Sequence, residues 1–150
     1  MIDLLAVCAF NADYAEAIDS DRLEDWPQFF TADCEYRITH VENEQAGLPA
    51  GIVWADSRAM LEDRIAALRE ANIYERQRYR HLLGIPRMLP EARARTPFMV
   101  ARIMASGETV LFATGVYMDE FIVEGGVLKL RSRVAVCDST VTDTLLALPL

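Results

Sequence analysis

A chain of 150 residues, of which 52% are hydrophobic and 25% charged, is long enough for one globular domain with a sizeable core. Its 23 acidic and 15 basic residues give a net charge of −8, which argues against nucleic acid as a partner because phosphates require a basic surface. No apolar run approaches the roughly 20 residues that span a bilayer, and an acid stands where a secretory signal carries basic residues. We therefore expect one domain over residues 1–150 of a cytoplasmic protein, with no membrane partner.

The chain opens with apolar residues at helical spacing. Leu5, Cys8, Ala12, Ala15 and Ile18 are three or four residues apart. This spacing predicts the buried face of a first helix that ends near residues 19–20.

A short helix and a strand are expected next. Asp21 and Glu24 have the three-residue spacing of a capping box, which predicts the start of a second helix. Residues 34–41 then alternate between apolar and polar side chains. This period of two predicts a half-buried strand with Cys34, Tyr36 and Ile38 on its inner face.

The middle of the chain predicts a loop, a helix and a strand. Residues 42–54 contain the glycines and the proline of a long loop. Asp56 or Ser57 is expected to cap the next helix, and residues 74–84 alternate as a strand does. The inward face of that helix is expected to consist of Leu61, Ile65 and Leu68.

Three more strands are expected in the last third of the chain. A proline-containing loop is expected to reach Pro97, and the strands follow at about residues 98–105, 108–122 and 127–138. Glycines at 107 and 125–126 mark the turns because glycine adopts a positive φ without strain. Helices followed by a meander predict an α+β fold, with a curved antiparallel sheet and helices on its concave face.

The histidines and cysteines do not have the spacing of metal ligands. His40 and His81 are separated by a loop and a helix, and no cysteine lies within a few residues of either. There is also no glycine-rich phosphate loop and no nucleophile elbow. We expect no metal, no cofactor and no nucleophilic site in this chain.

His40 has two possible roles. It shares the inner face of its strand with Tyr36, so it could act as a general base in a pocket, with Asp33 or Tyr36 nearby. Alternatively, it is a histidine at the pocket rim that is hydrogen-bonded to the backbone. The sequence leaves both open.

Two stripes of basic residues lie on predicted strands. Arg76, Arg78 and Arg80 project from one face of residues 74–84, and Lys129, Arg131 and Arg133 share one face of the last strand. We expect both stripes to face outward because the opposite faces are apolar. Their carboxylate partners are either Glu35, Asp119 and Glu120 of this chain or the acids of another chain that docks here. The alternative is a solvated surface with weak ion pairs.

The C-terminal leucines are the last local signal. Leu148 and Leu150 stand in an apolar ending that would be a liability in water. We expect this ending to pack either on its own domain or on a neighbour.

Four segments resemble the small, or beta, subunits of aromatic-ring-hydroxylating dioxygenases. They are FNADYAEAIDSDRLEDWPQFF, CEYRITHV, GLPAGIVWADSRAMLEDRIAALREANIYERQRYRHLLG and RVAVCDSTVTDTLLALPL. The resemblance implies a cone-shaped fold shared with ketosteroid isomerase, scytalone dehydratase and nuclear transport factor. It also implies an assembly of three large and three small subunits.

The resemblance further implies that the chemistry belongs to other chains. In this family the large subunit carries a Rieske [2Fe-2S] cluster, a mononuclear iron and the aromatic substrate, and a separate reductase brings electrons from NADH. No catalytic residue transfers to this chain, which would serve assembly. The alternative is a stand-alone lyase or isomerase that uses His40 with Asp33 or Tyr36. The residues expected at subunit interfaces are Trp54, Arg76, Arg78, Arg80, Arg131, Arg133, Leu148 and Leu150.

Overall fold

The computed structural model describes residues 2–47, 53–71, 76–139 and 148–150. The helices in these ranges are α1 (Leu4–Asp19), a 3₁₀ helix (Leu23–Phe29), α2 (Val41–Gln45) and α3 (Arg58–Glu70). The strands are β1 (Phe30–His40), β2 (Val53–Ala55), β3 (Gln77–Leu83), β4 (Arg87–Leu89), β5 (Arg93–Met104), β6 (Thr109–Glu124) and β7 (Val127–Cys137). The predicted α+β fold is confirmed.

All seven strands belong to one sheet. Its order is β2-β1-β7-β6-β5-β3, and β4 pairs with β5 off this path. Neighbouring strands are antiparallel apart from β1 and β7, which run parallel from the Glu35–Ser132 pair to the His40–Cys137 pair. The expected sheet is antiparallel throughout, so the parallel pairing of β1 with β7 is a difference. Hairpin turns predict only how strands adjacent in sequence pair, and β1 and β7 are far apart in sequence.

Helix α1 lies on one face of the sheet and is capped by Asp3, whose carboxylate accepts a main-chain N–H bond of 2.8 Å. Its predicted inner face is only partly right. Ala15 and Ile18 are buried, whereas Leu5 is 78% exposed and Ala12 is also exposed. The other buried side chains of α1 are Val7, Phe10, Asn11, Tyr14, Ala17 and Asp19. Leucine and alanine occur all round this helix, so spacing alone could not choose the face.

The 3₁₀ helix is held to α3 by Arg69. The predicted capping box is wrong, since Asp21 has a φ of 60° and both carboxylates bind Arg69 instead. The contacts of Arg69 with Asp21 and Glu24 measure 2.9 Å and 2.8 Å. The hydrogen bond from Arg69 lowers the pKa of Glu24. An arginine from a distant helix therefore takes the place of the predicted local cap.

Helix α3 agrees with the sequence. The hydroxyl of Ser57 accepts the N–H of Met60 at 3.2 Å, which identifies Ser57 and not Asp56 as the cap. The predicted inner face is confirmed, with Leu61 and Ile65 buried and Leu68 packed against the core.

The predicted loop before β5 is too long. β5 begins at Arg93, so Pro97 lies inside the strand, opposite Val116 of β6. β3 is confirmed, with Arg78 and Arg80 exposed on one face. The expected glycine turns are also confirmed, with φ values of 91°, 58° and 79° at residues 107, 125 and 126.

A bulge in β7 reverses the alternation of its side chains. Phe121 pairs with Leu130 and Glu120 pairs with Ser132, which leaves Arg131 without a partner on β6. This one extra residue in β7 places every later side chain of the strand on the face opposite to the one that simple alternation predicts. Leu130 and Arg133 are consequently both 0% exposed, while Arg131 is exposed. The expectation that Arg133 faces outward is therefore wrong.

Candidate functional site

Aromatic rings fill the space between the sheet and the helices. Phe10 and Tyr14 of α1 meet Phe121 and Tyr117 of β6 at ring-centroid distances of 5.2 Å and 6.2 Å. A second group of edge-to-face rings, 5.1–5.7 Å apart, consists of Trp26, Phe30 and Tyr36. Side chains of the protein itself thus occupy the interior in which a cone-shaped fold could hold a substrate.

A buried ion pair lies among these rings. The Nε and Nη2 atoms of Arg133 each lie 2.8 Å from a carboxylate oxygen of Asp119, and Nη2 also donates to Asn11 at 2.7 Å. The guanidinium carbon is 4.3 Å and 4.0 Å from the ring centroids of Tyr14 and Tyr117. Burial disfavours the charged guanidinium, but the Asp119 carboxylate outweighs it and raises the pKa of Arg133. Arg133 therefore connects β7 to β6 and to α1 within its own domain.

The C-terminal leucines pack into the same core. Leu148 is 5% exposed and Leu150 is 1% exposed. The hydroxyls of Tyr14 and Tyr36 donate to the Leu150 main-chain oxygen at 2.9 Å and 3.0 Å. The Leu150 N–H donates in turn to the Tyr36 hydroxyl at 3.1 Å. Of the two expectations for the C-terminal ending, the structure shows the first: both leucines pack on the chain's own domain.

A second buried polar pair joins α1 to β3. One carboxylate oxygen of Asp19 lies 2.7 Å from Nδ1 of His81, and the other accepts the His81 main-chain N–H at 2.8 Å. The His81 side chain is 0% exposed, and its Nε2 has no hydrogen-bond partner within the described ranges. A cavity of about 910 Å³ lies beside Asp19 and is also lined by Arg76 and Arg78. The two hydrogen bonds of the Asp19 carboxylate therefore fix both the ring and the main chain of His81.

The three residues of the predicted acid–base pocket lie in different surroundings. Nδ1 of His40 accepts the main-chain N–H of Asn43 at 3.4 Å, at the start of α2. Tyr36 is 0% exposed and bonded to Leu150, whereas Asp33 is exposed. The structure does not bring the three together, and the geometry of His40 matches a rim histidine bonded to the backbone.

The predicted interface residues separate into two groups. Trp54 is 56% exposed on β2, opposite Arg37 of β1. The exposed arginines of the prediction are Arg76, Arg78, Arg80 and Arg131. The other three, Arg133, Leu148 and Leu150, are buried in their own domain and have almost no surface left for another chain.

The described ranges contain no group of three or more His, Cys, Asp or Glu residues that could hold a metal ion. None of the helices in them is long and apolar enough to cross a membrane. The two histidines have other contacts, with Asn43 and Asp19 respectively.

A family model described as the ring hydroxylating beta subunit matches residues 13–144. The chain belongs to this family. As a beta subunit it is 61% identical to subunit beta 1 of the terminal oxygenase component of terephthalate 1,2-dioxygenase from Comamonas sp., over 100% of both chains. It is 36% identical to the anthranilate 1,2-dioxygenase small subunit of Burkholderia cepacia, over 91% of this chain and 88% of that one.

Solved beta subunits have the same fold. One from an aromatic-ring-hydroxylating dioxygenase of Novosphingobium aromaticivorans superimposes with a TM-score of 0.87 at 37% identity, over 98% of this chain and 96% of that one. The beta subunit of benzoate 1,2-dioxygenase from Burkholderia mallei has a TM-score of 0.70 at 16% identity, over 92% of each chain, and shows the fold alone. The predicted cone-shaped fold and family are confirmed.

Sequence reasoning named Asp119 among the possible partners of the basic stripes, and its pairing with Arg133 is confirmed, but that pair was expected on the outer face. Asp119 stands between Tyr117 and Phe121 at the spacing of a strand's inner face, a signal that could have identified it as buried. Asn11 and Asp19 gave no comparable signal, because each is explained only by a partner on a distant strand.

Proposed function

We propose that this chain is the small subunit of a Rieske-type dioxygenase that acts on terephthalate, and that it holds the catalytic large subunits in their assembly. The observation that carries the proposal is the 61% identity, end to end, to a terephthalate 1,2-dioxygenase beta subunit. The four sequence segments quoted above also resemble the beta subunit of that enzyme.

The catalytic groups would belong to the partners. The large subunit would hold the Rieske [2Fe-2S] cluster, the mononuclear iron and the ring to be cis-dihydroxylated, and a separate reductase would supply electrons from NADH. The described residues of this chain do not fit such groups, since His40 and His81 lie in separate places with other contacts. We place the chain in a cytoplasmic complex of three large and three small subunits.

The filled interior supports a structural role. The aromatic rings, the Arg133–Asp119 pair and Leu150 fill the space between the middle of α1 and the sheet, and the cavity beside Asp19 lies at the C-terminal end of α1. A rigid core of this kind keeps the outer surfaces in fixed positions, which a docking subunit requires.

Reconstitution tests the proposal. The chain is co-expressed with the large subunit of a terephthalate 1,2-dioxygenase, and terephthalate consumption is measured with reductase and NADH. We expect a complex whose native mass corresponds to three subunits of each kind, and terephthalate turnover that is lost when the small subunit is omitted. Faster turnover of anthranilate than of terephthalate would contradict the substrate. Undiminished turnover without the small subunit would contradict the structural role.

A further inference from the structure

Arginines without a carboxylate partner are concentrated on three neighbouring strands. β3, β4 and β5, with the residue before β3, carry six exposed arginines that form no ion pair within the described ranges: Arg76, Arg78, Arg80, Arg87, Arg93 and Arg95. Elsewhere Arg22, Arg37, Arg69 and Arg133 have carboxylate partners, whereas Arg58 donates to a main-chain oxygen and Arg131 is exposed without an ion pair in the described ranges. A local excess of cations is unexpected in a chain whose net charge is −8. The excess lies at one end of the sheet.

Two of these arginines face each other directly. Arg87 of β4 and Arg95 of β5 are register partners in an antiparallel pair. Like charges directly opposite across two strands repel each other and destabilise the sheet. A carboxylate supplied from outside the domain would remove this cost, and no described residue supplies one.

Apolar side chains lie between the arginines on the same outer face. They alternate along β5 to β7 with the buried core residues and consist of Pro97, Met99, Val116, Met118 and Val136. Leu82 and Leu111 extend this set and are each 62% exposed. We call these seven residues the outer strip.

Cross-strand neighbours connect the outer strip to Trp54 at one margin of the sheet and to the arginines at the other. One row across six strands consists of Trp54, Arg37, Val134, Met118, Arg95 and Arg87. Arg80 lies beside Ala101, which in turn lies beside Leu111. The face therefore has a largely apolar centre with guanidinium groups along its margins, although one row across it pairs Arg93 with Glu120. This composition suits a protein interface.

We infer that this outer face is the docking surface for the catalytic large subunit, whose contact patch is apolar at its centre and acidic at its margins. The inference rests on the proposed function. A two-fold contact between the outer faces of two copies would double the number of unpaired arginines in the interface, and the few carboxylates of that face, such as Glu35 and Glu120, could not match them. The helix side of a second copy offers carboxylates, but its large exposed apolar side chains in the described helices are Leu4, Leu5 and Met60 alone. A separate chain supplies both kinds of group.

Charge reversal tests the inference. We compare Arg80→Glu and Arg95→Glu with the matched control Arg22→Glu, which changes the charge equally on the helix side, beside Asp25. Each lone variant is melted, and each is titrated with the purified large subunit. We expect binding to weaken by about tenfold or more for the two outer-face variants and by less than about threefold for the control. The gentler Arg95→Gln replaces Arg95→Glu if the latter melts early.

Four outcomes decide the matter. Selective weakening by the outer-face variants, with affinity that falls as NaCl rises, supports the inference. Equal affinities of all variants in an intact wild-type complex overturn it and leave the proposed function standing. If Arg95→Glu instead dissociates an oligomer of the lone chain and spares the complex, the occupant is a second copy and the inference fails. If the wild-type chain does not bind the large subunit, the proposed function fails as well.

Discussion

Arg133 and Asp119 meet in the middle of the domain through two contacts of 2.8 Å, and neither side chain is exposed. Removing one partner leaves the other charge buried without a counterion, at a cost of about 3–5 kcal/mol. We expect Arg133→Ala to lower the free energy of unfolding by this amount, as measured by urea titration. The neighbouring exposed Arg131→Ala is the control, with a change below about 0.5 kcal/mol. Similar losses in both variants would contradict the opposite orientation of these two side chains.

Gly115 lies where β6 passes close to the ring of Phe98. A Cβ at this position would stand within 2.9 Å of that ring and still closer to the Val136 main-chain oxygen. We expect Gly115→Ala to lower the free energy of unfolding by about 3 kcal/mol, because backbone must move to make room. Gly84→Ala is a matched control, since the atoms nearest to its Cβ would be those of the Pro97 ring, at 3.2 Å. Thermal melting ranks the variants, and a control as damaging as Gly115→Ala would refute the explanation.

The Tyr36 hydroxyl is the anchor for Leu150. It donates to the Leu150 oxygen and accepts the Leu150 N–H, so Tyr36→Phe leaves two buried main-chain groups with fewer partners. We expect a loss of about 1–3 kcal/mol in the free energy of unfolding.

Tyr117→Phe is the control for this substitution. The Tyr117 hydroxyl is buried and has no hydrogen-bond partner in the described part of the chain. Its removal should therefore change the free energy of unfolding by much less, and the reverse order of the two variants in chemical denaturation would sink the anchoring role.

Alkaline pH should destabilise the fold. Burial raises the pKa values of Cys34 and Cys137 to about 11 from the ordinary 9.0, and burial also raises that of Tyr36. Between pH 9 and 11 the unfolded chain holds fewer protons than the folded one, so rising pH favours unfolding. The loss should reach about 2 kcal/mol per thiol by pH 11.

Unfolding free energies measured from pH 8 to 11 test this dependence. A Cys34→Ala/Cys137→Ala double variant should lose stability less steeply with pH than the wild type. The stability from these thiols is complete below pH 9 and is lost through pH 11. Identical slopes in the two proteins would show that the thiols do not contribute.

Local patterns in the sequence determined much of the secondary structure. The alternation in β1 and β3, the cap at Ser57 and the turns at Gly107 and residues 125–126 all depend on near neighbours, and each is confirmed. The identities of the residues along the chain also determined the family, because the resemblance extends over nearly the whole length.

Only the tertiary structure decided which polar side chains enter the core. The bulge at Arg131 inverted β7 and buried Arg133, although simple alternation placed both arginines on one face. The partners of the buried groups are far apart in sequence: 122 residues separate Arg133 from Asn11, and 136 separate Tyr14 from Leu150. A period of two or of 3.6 residues describes neighbours along one element. It therefore carries no information about a contact that forms only when distant elements pack together.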